Sequence, residues 1–349
     1  MKYSLCGVIL RVFSIPASRA ACVTRTLESL FSLMPSSGPG SEFRVEIFLR
    51  DLPEEEVSGE VVFDAPGLRA LRTEQGYHLQ SGGSYLGLDM RSGLAAGWLS
   101  EAFLNSPLED QRGLFLFALL LLLSGQGLYG LHAGGVVWDG CGFLLVGDSG
   151  SGKTTLTCAL ARSGWQYLSD DSVLLTRGKE GLEALAFGRP FHCAQAMFRH
   201  FPELKSRAIG ASEQSPVFGK QLVDVAPIYP GRFRSSTRPQ VILFPEITRA
   251  RYTRLVPLDS TAALLRILSE GAGLLHSRQS MTDQVTLLVD LVRNASAFRV
   301  MIGADVHHEP HKVSVLLRQL AKPGAARRSA SSPISNLRGD HTDELCSAA

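Results

Sequence analysis

The chain has almost no net charge. Its 35 Lys+Arg are balanced by 33 Asp+Glu, leaving a formal +2. With no surplus of either sign, composition gives no global pull toward nucleic acid or an anionic membrane. Charged residues are sparse overall, 19 % of the chain against about a quarter in ordinary soluble domains. No pair among Cys6, Cys22, Cys141, Cys158, Cys193 and Cys346 has C-x-x-C spacing. That removes the signature of zinc knuckles and thioredoxin-type sites, and reduced thiols in a cytoplasmic protein are expected. The longest apolar run, Leu114–Leu123, has ten residues before Ser124-Gly125-Gln126-Gly127 ends it; a membrane span needs about 20. Arg11 interrupts the apolar stretch Tyr3–Phe13 too early for a secretory signal, so the stretch reads as a strand. There is no internal repeat.

Hydrophobic residues make up 45 % of 349, enough for a sizeable core and about two domains. Glycine is over-represented, 34 residues against a typical ~7 %. The first hundred residues alternate short apolar runs with Gly/Pro breaks. Phe43–Leu49, Glu60–Phe63, Tyr77–Leu79 and Tyr85–Leu88 read as strands, Ser36–Gly40 as a loop, and Gly93–Phe103 and Leu108–Leu123 as helices. From Leu131 strands and helices alternate, predicting an α/β unit. Strand Val241–Phe244, helices Ser260–Glu270 and Thr282–Asn294, strand Phe298–Ile302 and a last helix near His311–Leu320 continue it. Residues 321–349 hold few large apolar side chains among Ser, Arg, Pro and Gly, the composition of a disordered tail. The expected division is an α+β region at 1–105, a catalytic α/β domain at 106–320 and the tail.

Gly147-Asp148-Ser149-Gly150-Ser151-Gly152-Lys153-Thr154 matches G-x-x-x-x-G-K-[ST]. The apolar run Phe143–Val146 precedes it and a helix Lys153–Ser163 follows, as the motif requires. Its glycines free the backbone to approach an anion, and its amides converge on phosphate oxygens at a helix N-terminus. In this pattern residues 147–155, through Thr155, hold phosphates; Lys153 reaches the terminal ones and Thr154 faces Mg²⁺.

Phosphoryl transfer also needs carboxylates for metal and base. The strand Trp165–Leu168 follows the helix, and a right-handed crossover sets it parallel to the strand before the loop. Asp170 and Asp171 then arrive beside the loop. A second residue comes from the hairpin signalled by Asp139-Gly140: if Trp138 faces Cys141, counting along the register sets His132 opposite Gly147.

The segments Leu131–Val137, Val146–Leu156 and Leu168–Val173 together resemble the catalytic domain of HPr kinase/phosphorylase and its relatives. The order His132, loop, Asp170-Asp171 carries the likeness, which extends over roughly 105–320 through Gly219-Lys220, Pro230-Gly231-Arg232, Ser236–Pro239 and Leu243-Phe244-Pro245. The resemblance implies a nucleotide-binding core of phosphoenolpyruvate carboxykinase type, ATP and Mg²⁺ as cofactors, and transfer of the γ-phosphoryl group to a hydroxyl. Serine is the expected acceptor, on a peptide, a carrier protein or a small molecule, since some relatives phosphorylate precursor peptides. Asp170 would be the base, Thr154 and Asp171 would hold Mg²⁺, Lys153 would hold phosphates and His132 would support them. HPr kinases assemble as oligomers, so a homo-oligomer is implied too. The contrasting expectation is a nucleotide-binding regulatory module with little transfer, which needs the loop but not Asp170.

Arg232, Arg234, Arg238, Arg249, Arg251 and Arg254 stand against one acid, Glu246. They are read either as a solvated surface or as one guanidinium face for phosphate or an acidic partner. Lys220 and Arg238 are the residues picked from this region for the phosphate end. His307-His308-Glu309-Pro310-His311 reads as a helix start rather than a metal site.

Overall fold

The structure is a computed structural model. It describes residues 2–5, 8–14, 27–28, 34–35, 44–49, 57–187, 190–209, 220–271 and 278–321. The tail expected at 321–349 lies outside the described residues beyond Ala321, as do the loop Ser36–Gly40 and Gly219. The architecture is mixed α/β with several sheets. No helix among the described residues is long and apolar enough to cross a membrane.

Among the described residues, nine strands form the first sheet: β1 (Lys2–Leu5), β2 (Val8–Ser14), β3 (Met34–Pro35), β4 (Arg44–Leu49), β5 (Glu60–Ala65), β6 (Leu68–Arg72), β7 (Gly76–Ser81), β8 (Ser84–Asp89) and β9 (Leu94–Trp98). Their order is β3-β1-β2-β4-β9-β8-β7-β6-β5. The single strand expected over Tyr3–Phe13 is instead the antiparallel pair β1–β2. The helix expected over Gly93–Phe103 is β9 followed by one short turn, Glu101–Leu104. Gly97 explains the difference. It lies so close against the backbone of Tyr85 and Leu86 that an added Cβ would collide with the Tyr85 carbonyl. Strand β6 carries no strand pattern in the sequence, because its Leu-Arg-Ala-Leu-Arg does not alternate. Helix α1 (Leu108–Ser124) packs on this sheet. Its Leu114, Phe115, Ala118, Leu119 and Leu122 share a core with Leu79, Leu86 and Ala95, which Leu174 and Phe187 join from farther along the chain.

The second region continues with β10 (Tyr129–Leu131), β11 (Ala133–Trp138), β12 (Cys141–Val146), α2 (Lys153–Arg162), β13 (Gln166–Ser169), β14 (Val173–Gly178), β15 (Gly181–Ala186), β16 (Phe191–Ala194), β17 (Ala208–Ile209), β18 (Lys220–Val223), β19 (Ser236–Thr237), β20 (Pro239–Ile247), β21 (Arg254–Leu258), α3 (Ser260–Arg266), α4 (Arg278–Asn294), β22 (Ser296–Ile302) and α5 (Pro310–Arg318). Its centre is a sheet of order β13-β11-β12-β20-β22-β21. The β11–β12 hairpin turns at Asp139 (φ 49°) and Gly140 (φ 76°), the two positive values a type I′ turn needs. Its register runs from Trp138↔Cys141 to Ala133↔Val146. Strands β12, β20 and β22 are parallel neighbours. Strand β13 pairs antiparallel with β11, so β12 and β13 run in the same direction on either side of it. Their carboxyl ends therefore share one edge, as expected.

Strand β12 is buried on both faces, as parallel-sheet strands are. Phe143 and Leu145 pack with Leu156, Leu160, Trp165, Val313 and Leu317 under α2 and α5. Leu144 and Val146 pack with Ala263, Leu288 and Leu291 of α3 and α4. The buried Trp165 Nε1 donates to Ser314 Oγ at 2.8 Å, tying β13 to α5. Sheets β10-β14-β15-β19 and β16-β18-β17 flank this core.

Candidate active site

The loop Gly147–Thr154 leaves β12 and opens α2. Gly150 (φ 88°) and Gly152 (φ 106°) take the left-handed backbone that only glycine adopts without strain. Lys153, 4 % exposed, folds back over the loop. Its ammonium donates to the carbonyls of Gly147 and Asp148 and to His132 Nε2 at 3.0 Å. His132 therefore lies at the mouth of the loop, one step past Ala133↔Val146, where the register count sets it.

His132 links two charges. Its Nδ1 is 3.4 Å from Asp171 Oδ1, and Lys153 Nζ is 3.9 Å from the same oxygen. Burial holds the imidazole pKa below its ordinary value; Lys153 pushes the same way and Asp171 opposes. With Nε2 facing the Lys153 ammonium and Nδ1 facing the Asp171 carboxylate, the ring bridges the two. Burial also lowers the Lys153 ammonium, with Asp171 opposing.

Asp170 is 1 % exposed. Its Oδ2 accepts from Thr154 Oγ1 at 2.9 Å and from the His192 backbone amide at 3.0 Å. Burial, followed by the neighbouring Asp171, pushes its carboxyl up to about 7, against the bonds from His192 and Thr154. Gly134 allows this close seating: a Cβ there would be 3.0 Å from the Asp170 carbonyl oxygen and 3.1 Å from Thr157 Oγ1. The His192 amide carries no side-chain signal, which is why the sequence did not reveal it.

Lys220, the first residue of β18, donates from Nζ to Ser149 Oγ at 3.0 Å. It belongs to the loop's surroundings, and its charge is felt by both Lys153 and His132. Arg238 does not. It precedes β20, whose Pro239 pairs with Gly142 at the amino end of β12, and its guanidinium donates to the Glu180 carbonyl. Because β12 and β20 are parallel, this is the edge opposite the loop, so the assignment of Arg238 to the phosphate end is corrected. The arginine-rich stretch does not share one face either: Arg238 precedes the start of β20 and Arg249 follows its end, at opposite edges of the sheet. Arg232 bonds the Gly164 carbonyl at 2.7 Å, and Glu246 pairs with Arg266 (2.7 Å) and Arg299 (2.8 Å), both outside the stretch.

The site has the donors an anion and a hard cation require. Ser151 Oγ is buried in the loop with no hydrogen-bond partner among the described residues. Thr154 gives its proton to Asp170, leaving its oxygen lone pairs free. Mg²⁺ takes one or two protein oxygens and completes its shell with water and substrate phosphates, so Thr154 and Asp171 fit it as a nucleotide-borne ion. No group of three or more His, Cys, Asp or Glu among the described residues forms a stand-alone metal cage. His307 instead stacks on His200, ring centroids 4.0 Å apart, and Pro310 begins α5.

No protein-family model matches the chain, and no curated protein matches it. Among solved structures, the chain is similar to the HPr(Ser) kinase/phosphatase from Coxiella burnetii at 13 % identity. The match covers 54 % of this chain and 94 % of that one, with a TM-score of 0.28.

Proposed function

We propose that the protein is an ATP- and Mg²⁺-dependent kinase that transfers the γ-phosphoryl group to a hydroxyl, with serine the foremost candidate, on a peptide, carrier protein or small molecule. One observation carries the reading: Thr154 at the head of α2 hydrogen-bonds the buried Asp170, while Asp171 meets His132 and Lys153 at the same mouth of the loop. A loop that only binds nucleotide needs no such pair of carboxylates.

In the proposed reaction the loop amides and Lys153 hold the phosphates. The acceptor oxygen forms a bond to the γ-phosphorus as the bond to the β–γ bridging oxygen breaks, and the acceptor proton passes to Asp170. A carboxyl raised to about 7 is matched to exchanging a proton near neutral pH. Mg²⁺, held by Thr154 and Asp171, would neutralise charge on the phosphate oxygens. His132 positions Asp171 and Lys153 together.

The test is incubation with γ-labelled ATP and a panel of hydroxyl acceptors, beside Asp170→Asn and Lys153→Ala. Label transfer that Asp170→Asn abolishes, with ATP binding retained, is expected. Tight ATP binding with no transfer in either protein would replace the kinase by a nucleotide-binding regulatory module. Unaltered ATP binding by Lys153→Ala would overturn both.

A further inference from the structure

The two flanks of the loop differ in chemistry. Toward β11 and β13 lie His132, Asp170, Asp171 and Lys220, all charged or polar. Toward β20 and β22 a cleft of about 230 Å³ opens against the loop, lined among others by Gly152, Thr155, Ile247, Arg249, Ile302 and His307. No carboxylate among the described residues lines it. Ile247 and Ile302 end their strands here and press on the last glycine of the loop. A Cβ on Gly152 would come within 2.9 Å of Ile302 Cδ1 and 3.2 Å of Ile247 Cγ1. Ile302 is buried, but Ile247 is 64 % exposed, an aliphatic side chain with no core to fill. His307 stacks on His200, ring centroids 4.0 Å apart, and among the described residues Arg249 is the one acidic or basic side chain other than histidine in the lining.

Ligands of open α/β sheets bind outside the carboxyl ends of parallel strands; β20 and β22 end level here, Ile247 paired with Ile302, and β12 on the other side of β20 leads into the loop that lines the cleft at Gly152. Its volume is below the roughly 300 Å³ at which whole-ligand pockets begin, so it suits one ring system of a larger molecule. A nucleoside triphosphate has a charged end and a flat, apolar end, and the loop lies between flanks of the same two kinds.

We propose that this cleft seats the nucleobase of the nucleotide, packed on Ile247 and Ile302, and so orients the triphosphate with its γ end toward Asp170 and Asp171. The proposal rests on the nucleotide reading of the loop given above. Thr155, the second residue after Lys153, is where the phosphate chain leaves the loop for the cleft.

Calorimetric titration of the full chain with ATP and with inorganic tripolyphosphate, both with Mg²⁺, tests it. The unaltered protein is expected to prefer ATP by tenfold or more. Ile247→Ser, neutral and at an exposed position, should weaken ATP about tenfold while leaving tripolyphosphate affinity and the melting temperature unchanged; Ile247→Val should keep the preference. Equal affinity for the two ligands in the unaltered protein, or an ATP preference untouched by Ile247→Ser, would overturn the cleft while sparing the loop. Failure of both ligands to bind the unaltered protein would overturn the loop reading and the cleft with it.

Discussion

Replacing Asp170 by asparagine separates what this carboxyl does for chemistry from what it does to stability. The amide keeps an oxygen to accept from Thr154 Oγ1 and the His192 amide. In the unfolded chain the carboxyl ionises near 3.8, whereas in the fold burial holds it up to about 7. Below 3.8 both states are protonated and the shift contributes nothing. Between 3.8 and about 7 only the unfolded chain releases the proton, so the wild type loses stability as pH rises, and above about 7 the loss is complete. At ~1.4 kcal/mol per pH unit the ceiling is about 4 kcal/mol. The new amide nitrogen is buried without a designed acceptor, which costs about 1–3 kcal/mol at every pH. Asp170→Asn should therefore be less stable than wild type at pH 4 and more stable, by about 1–3 kcal/mol, at pH 8, while label transfer falls about 10²–10⁴-fold. Urea unfolding of nucleotide-free protein in chelator, from pH 4 to 8, reads the difference. A stability gap constant across that range would refute the burial argument, and wild-type transfer would refute Asp170 as base.

Glu246 should behave in the opposite sense. Bonds from Arg299 and then Arg266 lower its carboxyl from 4.5 to about 2, so its stabilisation is present above 4.5 and disappears as pH falls toward 2. Glu246→Gln should reduce unfolding free energy by about 1–2 kcal/mol at pH 7, discounted for the exposed Arg299, and flatten the acid limb of a pH–stability curve. Gly142→Ala should lower the melting temperature through a loss of about 1–3 kcal/mol, because its Cβ would be 2.5 Å from the Arg238 carbonyl oxygen and 2.6 Å from Thr237 Oγ1; an unchanged melt would show that β12 and β20 can separate freely.

The parts legible in the sequence are those set by neighbouring residues. The Asp139-Gly140 turn determined the hairpin register, the register located His132, and the helix after Lys153 with its returning strand brought Asp170-Asp171 to the loop. What was not legible depends on residues far apart in the chain. Gly97 turned an expected helix into a strand through Tyr85, a contact no local pattern announces. Arg238 looked suited to phosphate by charge, yet its end of the sheet is fixed by pairing with Gly142. The His192 amide acts through backbone alone, and the cleft at Ile247 exists because two strands end level with each other.

The reversed strand β11 has a consequence for where the chain can change length. Because it runs against both its neighbours, its beginning meets their ends, and His132, the loop, Asp170 and Asp171 gather from forty consecutive residues, 132–171. The cluster is compact in sequence, and its nearest outside supports, the His192 amide on Asp170 and Lys220 on Ser149, sit on β16 and β18, so added residues are tolerated at little entropic cost in the turns between strands and not within those strands. Those turns can change length while the distances among His132, the loop, Asp170 and Asp171 stay fixed by the β11 pairings.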